Sequence, residues 1–268
     1  SEDEIHFIML QMTRLLFVYT FSLLPIAALT QIQALPPSKQ KDSITGNSSS
    51  DSIPYRLIYP GKFIPSKKYP LLVLLHGMGT RGNDNKQPFE RFSAYFSDSV
   101  NANKFDCYIL IPQCPKNDVW VSFPGFPNSL SVSAAPTHAA RSLLALIHQL
   151  LATKNLDAAR IYLSGYSMGG EATFDLLSRE PGLFACGVPL AAVADTSKAG
   201  LIRNIPVWAF HGSDDKVNDV KYSRMMIEAI KKLGGNPRYT EIKGAGHDCR
   251  NEAYLNEELW KWVFEQHK

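Results

Sequence analysis

The sequence predicts an α/β fold, one domain with a mostly parallel central sheet and helices on both faces. Near-continuous apolar runs such as Leu71-Leu72-Val73-Leu74-Leu75 suit strands that are buried on both sides. Across residues 55–268 short apolar runs alternate with longer amphipathic ones, and neither an internal repeat nor a Pro/Gly-rich linker divides that stretch. The 268 residues are 45% hydrophobic and 20% charged, which excludes disorder, collagen and coiled coil.

In chain order, residues 1–34 come first. Residues 15–29 carry no charge, follow Arg14 and precede small and polar residues, so 1–34 is expected to be a signal peptide and the protein secreted or periplasmic. An uncleaved membrane anchor is the weaker alternative, since a spanning helix needs about 20 apolar residues. The acidic residues 1–4 are unlike a positive leader, so the natural start is expected at Met9 or Met12. Residues 35–54 are rich in Ser, Pro, Lys and Asp and are expected to be a flexible linker, with a formal glycosylation sequon at Asn47-Ser48-Ser49. A single folded domain is expected over 55–268. Its strands are predicted at 55–59, 70–75, 107–111, 160–164, 186–191, 207–210 and 238–242. Its helices are predicted at about 88–100, 134–154, 168–180, 217–234 and 252–266.

A formal charge of +3 without a basic stripe excludes an electrostatic footprint on nucleic acid. Cys107, Cys114, Cys186 and Cys249 lack zinc-site spacing and are too few for a disulfide scaffold, so packing thiols are expected. No motif implies a cofactor or a metal.

The sharpest chemical signal is Gly165-Tyr166-Ser167-Met168-Gly169. A bare G-x-S-x-G arises by chance in roughly one chain in ten of this length, so the context carries the weight. Here a predicted strand precedes it and a predicted helix follows, the setting of a nucleophile elbow that lifts a serine hydroxyl to the top of a sheet. Serine is a weak nucleophile until a base takes its proton, and in this fold the order is Ser, acid, His. His247, in Gly-Ala-Gly-His-Asp after the last predicted strand, is the candidate base. Asp215 is the candidate acid, preferred over Asp214 because the His211-Gly212 turn needs two residues before the chain points back; Asp195 is the outside alternative. The oxyanion donors are expected from the amides of Met168 and of Met78, the latter in His76-Gly77-Met78-Gly79 after the 70–75 strand. His76 itself is expected to brace that loop.

These segments, LLVLLHGMGTRGNDN, YILIPQCP, RIYLSGYSMGGEATFDL, IPVWAFHGSDDKV and GAGHDCRNEAYLNEELWKWV, together resemble the α/β-hydrolase superfamily. The nearest likeness is to its phospholipase/carboxylesterase branch, which shades into dienelactone-hydrolase-like esterases and secreted predicted peptidases. The resemblance implies Ser167 as nucleophile, Asp215 as acid, His247 as base and Met78 with Met168 as oxyanion donors. Glu171 and Cys249-Arg250 depart from what is common at those positions and bear on acyl preference. Only about fifteen residues separate the 186–191 and 207–210 strands, too few for a lid. The long 112–136 connection carries Trp120, Phe123 and Phe126, expected to form one wall of an acyl pocket, with packing over the core edge as the alternative.

The expected activity is that of a serine esterase acting on small-molecule carboxylic esters of short to medium acyl length, through an acyl-enzyme. A peptidase or amidase of the prolyl-oligopeptidase type, an acyltransferase, or a non-catalytic hydrolase-fold binding protein are the alternatives.

Overall fold

The computed structural model describes residues 40–43, 53–61, 63–96 and 106–268. The expected signal peptide and the Asn47 sequon lie outside these residues. No helix among the described residues is long and apolar enough to cross a membrane.

Among the described residues eight strands make one sheet: β1 (Gln40–Ser43), β2 (Tyr55–Ile58), β3 (Tyr69–Leu75), β4 (Tyr108–Pro112), β5 (Leu156–Tyr166), β6 (Cys186–Leu190), β7 (Trp208–Gly212) and β8 (Arg238–Ile242). Their spatial order is β1-β2-β4-β3-β5-β6-β7-β8. The β1–β2 and β2–β4 pairs are antiparallel and all others parallel. β1 falls within the stretch expected to be a linker, which corrects that expectation for residues 40–43 alone: an edge strand joins through backbone hydrogen bonds, and these do not require apolar side chains.

Every residue of β3 is buried. Leu71, Val73 and Leu75 point into one core, and Leu72 and Leu74 into the other. Fully burying each such side chain is worth about 1.5–3 kcal/mol, so a strand apolar on both faces is stable only in the middle of a covered sheet. The first core is closed by α2 (His138–Thr153), α3 (Met168–Arg179), α4 (Ala199–Ile202) and α5 (Lys221–Lys232); the second by α1 (Gln87–Phe96), α6 (Arg250–Tyr254) and α7 (Glu257–Glu265).

Caps decide where the helices differ from the expected spans. α2 starts at His138 because Thr137 Oγ1 accepts from the Ala140 amide at 3.1 Å. The expected 252–266 helix is two, since Asn256 Oδ1 accepts from the Glu258 amide at 2.9 Å and opens α7 afresh. α5 begins four residues after the expected 217, because the Val217 and Asn218 amides donate to Asp215 instead of entering a helix.

β3 pairs with β4 on one side and β5 on the other, so the chain's direction of travel across the sheet reverses there. The loops leaving the carboxyl ends of β3 and β5 diverge at such a point and leave a crevice between them.

Candidate active site

At the end of β5 the chain turns sharply. Ser167 holds φ 56° and ψ −123°, a left-handed conformation that costs energy for a non-glycine residue, and its amide donates to Leu190 O at 2.9 Å. The turn closes only because its flanks lack side chains. A Cβ on Gly165 would stand 2.2 Å from Gly169 O, and one on Gly169 would stand 2.1 Å from Leu75 O. β5, α3 and β3 are thereby packed backbone to backbone, with the serine hydroxyl pushed into the crevice.

Ser167 Oγ lies 2.9 Å from His247 Nε2, and His247 Nδ1 lies 2.8 Å from Asp215 Oδ2. The three residues leave the ends of β5, β7 and β8, which lie on the same side of β3 in the sheet. Asp215 is buried, and its Oδ1 accepts from the amides of Val217 at 2.8 Å and Asn218 at 2.9 Å. Of the alternatives, Asp214 is exposed and accepts from Ser213 Oγ, while Asp195 accepts from Ser197 and from the Val132 amide. Neither forms a hydrogen bond with His247.

The two expected oxyanion donors stand at helix beginnings. Met168 is the first residue of α3, and Met78 is the first residue of a 3₁₀ turn, Met78–Thr80. N–H groups at such positions have no partner inside their helix. The loop bearing Met78 lies against the elbow: a Cβ on Gly77 would stand 3.4 Å from Ser167 Cβ. His76 braces this loop. Its Nδ1–H donates to Gly77 O at 2.7 Å, and its Nε2 accepts from the Cys114 amide at 2.9 Å. Burial lowers its pKa to about 4, so the ring is neutral.

The cleft above Ser167 has a volume of about 380 Å³. Its walls are the 76–80 loop, Arg91 and Phe92 of α1, Tyr166, Val217, and Asp248 with Arg250. Trp120, Phe123 and Phe126 are not among them, which corrects the expected acyl wall. Trp120 is fully buried and donates from Nε1 to His76 O at 3.2 Å; Phe123 packs on the first core; Phe126 meets Tyr222 with ring centroids 6.0 Å apart. Phe92 and Val217, which do line the cleft, are not among the residues the sequence marks, because both fall in stretches predicted as helices and carry no chemical motif.

Arg250 and Glu171 each have a place. The Arg250 guanidinium lies 4.7 Å over the Tyr166 ring and is paired with Asp248 at 2.7 and 2.6 Å, while Tyr166 packs 5.1 Å from the His247 ring. The loop carrying His247 is thus fastened to the elbow. Glu171 Oε1 accepts from Asn218 Nδ2 at 3.1 Å, and burial pushes its pKa up to about 7. The four cysteines are buried, unpaired thiols, and burial raises the pKa of each.

The profile of the phospholipase/carboxylesterase family matches residues 64–255. A bifunctional acetylxylan esterase/xylanase from Neocallimastix patriciarum is 26% identical over 205 residues, 76% of this chain and 27% of its own length. The crystal structure of a thermostable esterase superposes with a TM-score of 0.78 at 32% identity, over 86% of this chain and 64% of that one. A ferulic acid esterase from Anaeromyces mucronatus, bound to ferulic acid, shares the fold at 14% identity, with a TM-score of 0.60 over 85% of this chain and 90% of that one. The chain therefore spans about a quarter of the curated relative and just under two thirds of the thermostable esterase. With a profile match over most of its length and the elbow geometry at Ser167, the chain belongs to the phospholipase/carboxylesterase family of α/β-hydrolases.

Proposed function

We propose that the protein is a secreted serine hydrolase that cleaves carboxylic esters of short to medium acyl length through an acyl-enzyme on Ser167. The observation that carries the proposal is the unbroken run of hydrogen bonds from Ser167 Oγ through both ring nitrogens of His247 to Asp215 Oδ2, at 2.9 and 2.8 Å. His247 Nε2 takes the serine proton as Oγ attacks the ester carbonyl, and the same proton then goes to the departing alcohol. Asp215 accepts from Nδ1–H, which leaves Nε2 free as the base and stabilises the imidazolium. The amides of Met78 and Met168 face the negative charge that develops on the carbonyl oxygen. Water repeats the sequence on the acyl-enzyme.

Short acyl groups are favoured because residues 191–207, where a lid would be inserted, hold only a 3₁₀ turn and the four-residue α4. Each buried methylene is worth about 0.8 kcal/mol, a gain that an uncovered cleft collects only for the carbons nearest Ser167. The test is a screen of p-nitrophenyl esters from acetate to palmitate beside peptide amides, with fluorophosphonate labelling read by mass spectrometry. Acetate to hexanoate should give the highest kcat/KM and the label should sit on Ser167. Label on another serine would refute the nucleophile, and a maximum at palmitate would refute the acyl range.

A further inference from the structure

His211, the fourth residue of β7, is fully buried and has no step in the chemistry above. Its Nε2 lies 2.9 Å from Asn218 O and 3.1 Å from Asp215 Oδ2. A carbonyl and a carboxylate only accept, so Nε2 must carry a proton. On the other side Nδ1 lies 2.7 Å from Ser223 Oγ on α5, whose one proton has two acceptors in reach, Nδ1 and the more distant Ala192 O at 3.2 Å, so the shorter contact is the one to the ring. Asp215 Oδ2 is therefore held by two imidazoles, His247 at 2.8 Å and His211 at 3.1 Å.

We infer that His211 is a positioning residue for the proposed ester hydrolysis: a neutral imidazole whose Nε2–H aims Asp215 Oδ2 at His247 while leaving the carboxylate charge for the imidazolium that forms during turnover. A protonated His211 would place a second cation against the same oxygen and compete with His247 for it. Burial opposes that state and holds the His211 pKa below its ordinary value. The groups that face this ring are Asp215 and Asn218 from its own loop, Ser223 from α5, His247 from the loop after β8, and Glu241, its register partner on β8. Glu241 is engaged by Arg224 and Tyr239, and Glu171 reaches the cluster only through the side chain of Asn218.

The inference rests on the ester-hydrolase proposal but is tested partly without substrate. In ¹⁵N-histidine NMR of the intact protein at neutral pH, His211 should hold its proton on Nε2 and none on Nδ1. A proton on Nδ1 with Nε2 bare would overturn the inference. In kinetics, His211→Phe should lower kcat about tenfold to a hundredfold with KM nearly unchanged, the scale of losing one hydrogen bond to a charged group. Its acid limb should move to higher pH, because Oδ2 with one donor fewer holds the His247 imidazolium more tightly. His211→Gln, which keeps an N–H, should recover part of the rate. A folded His211→Phe with unchanged kcat and pH profile would refute the assignment. If that variant does not fold, Ser223→Ala decides: it should lower kcat several-fold and shift the acid limb the same way, and no change would refute it equally. A wild-type protein inert toward every ester would instead refute the parent proposal and leave the NMR result standing.

Discussion

Acid should release the loop that carries Met78, with His76 setting the pH at which this happens. The ring is 2% exposed, and its two nitrogens hold Gly77 O and the Cys114 amide, so it joins the loops after β3 and β4. Protonation would turn Nε2 into a donor facing another donor. Burial, aided by the charge of Arg81 and opposed by the bond to Gly77 O, lowers the pKa from 6.5 to about 4. In the unfolded chain the ring binds its proton near the ordinary value. Between these pH values the unfolded state binds a proton that the folded state refuses, so stability rises with pH there and is lost as pH falls from about 6.5 towards about 4. At 1.36 kcal/mol for each tenfold in proton affinity, the full loss is about 3 kcal/mol.

The assay is urea unfolding of wild type and His76→Asn at a series of pH values, taking the difference so that other carboxylates and histidines cancel. At pH 7.5 the variant should be less stable by about 1–3 kcal/mol, the cost of leaving the buried Cys114 amide unpartnered. As pH falls to 4 that gap should close or invert, since only the wild type suffers from protonation. A gap constant between pH 7.5 and 4, or one that widens in acid, would refute the reasoning.

Asp215→Asn should lower kcat by about three to four orders of magnitude because it presents the wrong partner to His247 Nδ1, while Asp214→Asn should stay near wild type; both are read from esterase kinetics. Burial raises the Glu171 pKa from 4.5 to about 7, so the folded state holds a proton that the unfolded state releases between those values. Glu171 therefore favours folding below pH 4.5 and loses that contribution as pH rises through about 7, and Glu171→Gln should gain stability relative to wild type across that window in the same urea experiment. Gly165→Ala puts a Cβ 2.2 Å from Gly169 O, so it should lower stability by about 1–3 kcal/mol and cut kcat as the elbow shifts, measured by thermal melting and kinetics.

The central strands were legible because burial on both faces leaves an unmistakable run of apolar residues; β3 and β8 fall within one residue of the expected spans. Ser167 was legible for a related reason. The turn has a local steric requirement, glycines at two flanking positions, and that requirement is written in consecutive residues. Asp215 and His247 needed only the order of strands, since each follows the end of a strand that could be seen. β1 was not legible: its pairing with β2 belongs to the backbone, and residues 40–43 carry no apolar pattern.

The walls of the cleft depend on contacts distant in the chain, and there reasoning from apolar content failed for a definite reason. The 112–136 connection is held by polar anchors spread along the protein. Arg179 donates to Ser133 O at 2.8 Å and Ala134 O at 3.0 Å, Asp195 accepts from the Val132 amide at 3.1 Å, and Asp118 accepts from the Ala139 amide at 2.7 Å. These bonds tie the loop to the C-terminal end of α3 and to α2, and Trp120 goes beneath the His76 loop as its support. Its bulk therefore acts on the cleft through the brace that positions Met78. The surfaces that meet substrate come instead from α1, the turn after Asp215 and the loop after His247. It follows that acyl preference should respond to Phe92 and Val217, whereas Trp120→Phe, which removes the bond to His76 O, should lower turnover for short and long esters alike.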